Sequence, residues 1–124
     1  MQTGLPTVSE LEILQILWMN GASSVRFVND AINQKREVGY TSTLKTMQLM
    51  MDKGMLHRKI EDRTHLYEAA LAEDDTQKHL LDGFVETAFR GSTSSLVMSM
   101  LGNGDTSKEE IQKIKEIIKQ LEKK

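Results

Sequence analysis

The side chains best equipped for chemistry in this chain are hydrogen-bond donors, gathered in one stretch. Thr41, Ser42, Lys45 and Thr46 lie close together in GYTSTLKTMQLMMDKG, residues 39–54, and Tyr40 and Lys53 stand near its two ends. His57, Arg58, Lys59, Arg63 and His65 follow directly. Short hydroxyls and a lysine in the first turns of a helix suit base edges and phosphate oxygens in a duplex groove. Arg, Lys and His around an adjoining turn suit backbone phosphates.

Other chemistry finds little support. His57, His65 and His79 are the three histidines. The first two could approach across a hairpin, but no further ligands stand at a metal-binding spacing, so surface histidine is the better account and no metal is expected. With no cysteine, disulfides, thiolate ligands and cysteine nucleophiles are excluded. Asp74-Asp75 and Glu109-Glu110 fit the first turns of helices, where negative charge is favoured, better than paired catalytic acids. Gly102-Asn103-Gly104 is too short to cradle a phosphate. No nucleophile–base arrangement is evident, so neither an enzyme nor a cofactor is expected. Met47, Met50, Met51 and Met55 could line a soft binding groove, but core filling is the simpler role.

The formal net charge of −2 over 124 residues argues against a general polyanion binder. Residues 1–71 carry eight basic and eight acidic side chains, and residues 72–124 eight and ten. Only 39–65 shows an excess, five basic against three acidic. The amino terminus lacks the basic leader of a secretory signal, and no apolar run reaches the ~18 residues of a membrane span. The expected location is the cytoplasm.

The elements that must position these donors read clearly. Ser9 and Glu12 of SELE form a capping-box pattern, and Leu11, Leu14, Leu17 and Trp18 follow at helical spacing up to Asn20-Gly21. Ser24 is placed to cap a second helix with Val25, Val28, Ala31 and Ile32 on one face. The third helix covers 39–54, with Gly54 in the C′ position. MLHRKI and HLYEAA, separated by the polar turn EDRT, read as a β-hairpin. Helix, helix, helix and hairpin within about 70 residues is the order of a winged helix-turn-helix. After Ala72 the texture turns wholly helical. One segment carries Leu80, Leu81, Phe84, Val85, Ala88 and Phe89; the next, STSSLVMSML, carries Leu96, Val97, Met100 and Leu101 and ends at Gly102-Asn103-Gly104. The last opens with Ser107 and Glu110 as a capping box and repeats Ile111, Ile114, Ile118 and Leu121 at the alternating spacing of a packed helix pair. These helices are too one-sided for a core of their own, which makes 72–124 a dimerisation module attached to a winged-helix domain at 1–71.

At 100° per residue, Leu44, Met47, Met50 and Met51 centre on one side of the third helix. Ser42, Lys45, Leu49, Asp52 and Lys53 lie opposite, with Thr41 at the rim. A solvated back is the commoner meaning of such a face, and a charged edge hairpin is the plain account of the wing. An isolated leucine is out of place in solvent, however, and could meet a thymine methyl or a sugar.

VSELEILQILW, SVRFVNDAI, GYTSTLKTMQLMMDKGMLHR, EDRTHLYEA and FRGSTSSLVMSML, in that order, resemble the penicillinase-repressor family of winged-helix transcriptional regulators. The likeness covers nearly the whole chain. It implies a homodimeric repressor that holds a dyad-symmetric operator, dimerises through its C-terminal helices and is tied to antibiotic-resistance regulation. It places base contacts on Thr41, Ser42, Lys45 and Thr46, backbone contacts on Arg58, Lys59 and Arg63, and a positioning role on Tyr40. Leu49 stands where many members carry Arg, which changes the operator expected. β-Lactam-responsive members are cut by a membrane sensor metalloprotease at an Asn-Phe bond, and the aligned pair here is Ser99-Met100. The copper-sensing branch uses C-terminal cysteines that this chain lacks. The rival expectation is a winged-helix protein-interaction adaptor without DNA binding, supported by the neutral charge of 1–71 and by Leu49.

Overall fold

Thr7 ends an extended entry and caps helix α1, Val8–Asn20, by accepting the Glu10 amide on its Oγ1 at 3.2 Å while the Glu10 carboxylate accepts the Thr7 amide at 2.9 Å. The capping box is therefore Thr7–Glu10 and not Ser9–Glu12, two residues earlier than the sequence suggests. TVSE and SELE both carry the pattern, and tertiary partners decide between them. The earlier register buries Glu10 against Lys53 and leaves Glu12 to meet Arg36 at 2.5 Å. The computed structural model describes residues 4–102, 104 and 106–123, so Asn103 of the glycine-flanked turn lies outside the described residues.

Helix α2, Val25–Asn33, is capped by Ser24, whose Oγ accepts the Phe27 amide. Helix α3, Tyr40–Asp52, ends as the glycine at 54 requires. Gly54 adopts φ 83° and donates to Met51 O, while Met55 donates to Met50 O. That pair of bonds is a Schellman closure, sealed by the buried side chains of Met50 and Met55. Between α2 and α3 the chain is held by amide side chains. Asn29 Nδ2 donates to Val38 O at 3.0 Å and to Thr43 Oγ1 at 2.8 Å, and Asn33 Nδ2 donates to Val38 O at 2.9 Å. Asn29 and Thr43 are buried polar groups that satisfy each other, which fixes the angle at which α3 leaves the turn.

Strands β1, Leu56–Glu61, and β2, Thr64–Ala69, pair antiparallel from Leu56↔Ala69 to Glu61↔Thr64. The loop is only Asp62-Arg63, both at positive φ (48° and 67°), the backbone of a type I′ turn. Ser23 adds a single bridge to Tyr67 on the other side of β2, so the segment between α1 and α2 is tied to the sheet.

These elements enclose one aliphatic core: Ile13, Leu14 and Leu17 of α1, Val25, Val28 and Ile32 of α2, Met47 and Met50 of α3, then Met55, Leu56 and Tyr67. Ile13 occupies the place expected of Leu11, which is half-buried. Three of the four methionines are core filling and Met51 packs at its margin. The indole of Trp18 donates to Leu71 O at 2.9 Å and holds the end of the hairpin strand against α1. The result is a winged helix-turn-helix.

Chain contacts divide the protein into compact units Met1–His79 and Leu80–Lys124. The division falls inside helix α4, Glu73–Phe89, where the sequence suggested a break at residue 72. The second unit holds the rest of α4, helix α5, Thr93–Gly102, and helix α6, Lys108–Glu122. Ser107 caps α6 by accepting the Glu110 amide at 3.1 Å. Among the described residues of this unit, Val85 is the one buried hydrophobic side chain. Leu81, Phe84, Val97, Met100, Ile118 and Leu121 are exposed, and so are Met98 and Ile117, which the seam pattern did not single out. Leu80, Phe89, Leu96, Leu101, Ile111 and Ile114 are half-buried, and Ala88 is exposed. Among the described residues no helix is long and apolar enough to cross a membrane.

Candidate nucleic-acid interface

Helix α3 buries Thr43, Met47 and Met50 and turns Thr41, Ser42, Lys45, Gln48 and Leu49 outward. Thr46 is half-buried and its hydroxyl donates to Ser42 O at 3.0 Å, which leaves only its lone pairs for a ligand. Gly39 is the N-cap and supplies no side-chain bond to the first amides. That end of α3 therefore presents backbone donors, which suits an anion.

Beside this helix runs a groove of about 480 Å³ bounded by the start of α2, by α3 and by the hairpin. Arg26, Tyr40, Gln48, Arg58 and His65 are among its lining side chains. The Arg26 guanidinium lies 5.5 Å from the centre of the Tyr40 ring, a cation–π contact that orders both. Arg26 and Gln48 escaped the sequence reading. The signal for Arg26 was present: it follows Val25 in the first turn of a capped helix, on the side away from Val28 and Ile32.

The strand register sorts the hairpin donors. Arg58 pairs with Tyr67 and His65 with Ile60, so Arg58 and His65 share the face that borders the groove. Lys59 is on the opposite face, with its Nζ 3.8 Å from both Glu61 and Glu68. His57, opposite Glu68, is also on that face. The two histidines thus point to opposite sides of the sheet and do not approach each other. Arg63 stands at the turn itself.

Ion pairing then redistributes a charge count that looked neutral. Arg36, Lys53 and Lys59 are engaged by Glu12, Glu10 and the Glu61/Glu68 pair. Among the described residues of 1–71, Arg26, Lys35, Lys45, Arg58 and Arg63 have no ion pair; Lys35 lies beside α1, and the other four belong to α3, the hairpin and the groove between them. Besides Glu61 and Glu68, which face Lys59, the carboxylates of the same region are Asp52 and Asp62. Lys53, expected to face outward with Lys45, instead bends its ammonium to 2.7 Å from Glu10 Oε2.

Glu10 makes that pair testable. Burial pushes its carboxyl upward, but the Lys53 ammonium and the Thr7 amide and hydroxyl together outweigh it and hold the group below the ordinary carboxylate range. A depressed folded value means stabilisation that is full above the unfolded value, about 4.3, and is lost as pH falls through the folded one. Glu10→Gln is therefore expected to lower stability at pH 7 by on the order of 1 kcal/mol, screening of the half-exposed Lys53 included. The gap from the parent should close in urea titrations taken progressively below about pH 4. A gap that is constant with pH would show that the carboxylate charge contributes nothing.

The family model described as penicillinase repressor matches residues 6–120. The methicillin resistance regulatory protein MecI of Mammaliicoccus sciuri is 23% identical over 110 residues, 89% of each chain. The penicillinase repressor of Bacillus licheniformis is 26% identical over 119 residues, 94% of this chain and 92% of that one. The solution structure of the monomeric form of Bacillus licheniformis BlaI, in complex with the blaP half-operator, aligns at a TM-score of 0.48 and 17% identity, over 60% of this chain and 93% of that one. With the family model spanning almost the whole sequence, this chain belongs to the penicillinase repressor family.

Proposed function

We propose that the protein is a homodimeric transcriptional repressor that occupies a dyad-symmetric operator and leaves it in response to a signal. The observation that carries this reading is that Arg26 and Arg58 line the groove beside α3, Lys45 stands on the outer face of α3 and Arg63 at the hairpin turn, all without ion pairs among the described residues. Thr41, Ser42 and Lys45 would meet base edges, with Thr46 at the margin, while Tyr40, Arg26, Arg58 and Arg63 hold the backbone. Lys53 and Lys59 stand against carboxylates, Lys59 at the surface, and are left out of this assignment. The relatives named above are called a methicillin resistance regulator and a penicillinase repressor, which supports the same role.

The turn residue Arg63 supports it from another side. A side chain at φ 67° costs about 1 kcal/mol that glycine would not incur. Strain held at a hairpin tip is consistent with a contact that requires the arginine. Arg63→Gly is expected to raise the thermal midpoint by a few degrees while reducing the salt slope of DNA binding by about one per protomer. Unchanged DNA binding would remove Arg63 from the interface.

Two copies would join through the C-terminal helices, whose exposed Phe84, Ile118 and Leu121 call for a partner surface. The dimer would present its α3 helices about one turn of duplex apart, ~34–36 Å. Release is assigned to a signal acting on this module, with cleavage between Ser99 and Met100 by a membrane sensor metalloprotease as the route to examine. Both residues lie within α5 and are exposed, so the helix must open locally before a protease can hold that bond in extended form.

Selection of duplexes from a random pool, followed by binding measured against salt, tests the function. A selected palindromic site whose affinity falls steeply with salt is the expected result. Failure to retain DNA at any salt would overturn the repressor reading and favour a winged-helix adaptor for another protein.

A further inference from the structure

Leu49 is the exposed aliphatic side chain of α3, among the described residues, with 49% of its surface open. The core beneath is filled by Met47 and Met50, so Leu49 serves no internal packing need. Along the helix it follows Lys45 by one turn, about 6 Å further and about 40° round the axis. That places it on the outer face, beside the line from Lys45 to Asp52 and on the Ser42 side of it. Gln48, by contrast, turns toward the groove beside the hairpin, where a backbone sugar would lie. An exposed position on a face directed into a major groove meets base edges, and the apolar group that a base edge offers there is the C5-methyl of thymine.

We propose that Leu49 selects thymine by packing on its C5-methyl, one or two base pairs from the base met by Lys45, since ~6 Å of helix spans about two steps of 3.4 Å. The proposal rests on the repressor reading and adds the base that the site prefers at one position. Covering one methyl is worth roughly fourfold in affinity, and about fifteenfold when both half-sites are counted.

The test uses the full chain and the duplex it selects. Each thymine is replaced in turn by deoxyuridine, which keeps pairing and removes only the methyl. At one thymine per half-site the parent should lose about fourfold, Leu49→Met should lose a similar factor, and Leu49→Ala should lose nothing further. Circular dichroism of both variants checks that α3 is intact. A selected site with no thymine in that reach, or deoxyuridine penalties equal in the parent and Leu49→Ala, would overturn the assignment while leaving the repressor reading in place. A pool that yields no bound duplex would overturn both.

Discussion

Replacing Phe84 and Ile114 together by aspartate is expected to convert the protein to monomers and to weaken operator binding by roughly 10²- to 10⁴-fold. Phe84 is 53% exposed, with its ring edge-on to Phe89 at a centroid distance of 5.8 Å. Ile114 lies on the α6 row with Ile111, Ile118 and Leu121. A carboxylate at either position would have to lose its water in an apolar interface without a partner, which association energy cannot offset. The loss in DNA affinity then follows from arithmetic, because two linked half-site contacts bind at a high effective concentration and separated ones do not. Sedimentation of the double variant as a dimer would refute the use of the C-terminal helices. Val85 is unsuited to the same experiment, because its burial within a single chain makes folding itself the casualty.

Removing the Lys45 side chain should cost roughly ten- to hundredfold in affinity per half-site, with the dimer and the thermal midpoint unchanged. Its ammonium is exposed on α3 and, among the described residues, has no carboxylate partner. Deleting it therefore breaks nothing internal. If Lys45 meets a base edge, Lys45→Ala should also relax the preferred base at one position of the selected site; if it meets a phosphate, the loss should be uniform across sequences and the salt slope should fall by about one. An affinity equal to the parent's at matched salt would show that α3 does not face DNA. The contrast with Lys53→Ala is informative, since that change should lower stability through Glu10 and move DNA affinity little.

Much of the winged helix was legible because its signals are local. Leu14 and Leu17, Val28 and Ile32, Met47 and Met50 recur at helical spacing and are all buried. Ser24, Gly54 and Ser107 mark helix ends through bonds that span a few residues. Such features survive in the bare sequence because the atoms involved are chain neighbours. The first capping box shows the limit. Thr7–Glu10 and Ser9–Glu12 satisfy the same local chemistry, so local rules alone could not choose, and Lys53, 43 residues from Glu10, made the difference. Asn29 was unreadable for a similar reason: an asparagine in a helix is ordinarily solvated, and only the return of the chain at Val38 and Thr43 makes it a buried clamp.

The order of elements, most of the buried positions of α1–α3 and the likeness to the family are legible in the sequence, since each rests on residues that are near neighbours along the chain. Tertiary structure decided which cations are engaged and which stand open. Residues 1–71 hold equal numbers of acids and bases, and no count of that kind distinguishes Lys53 and Lys59 from Lys45 and Arg58. The fold does so, because an ion pair depends on distances of a few ångströms between side chains that are remote in sequence or on one particular face of a strand.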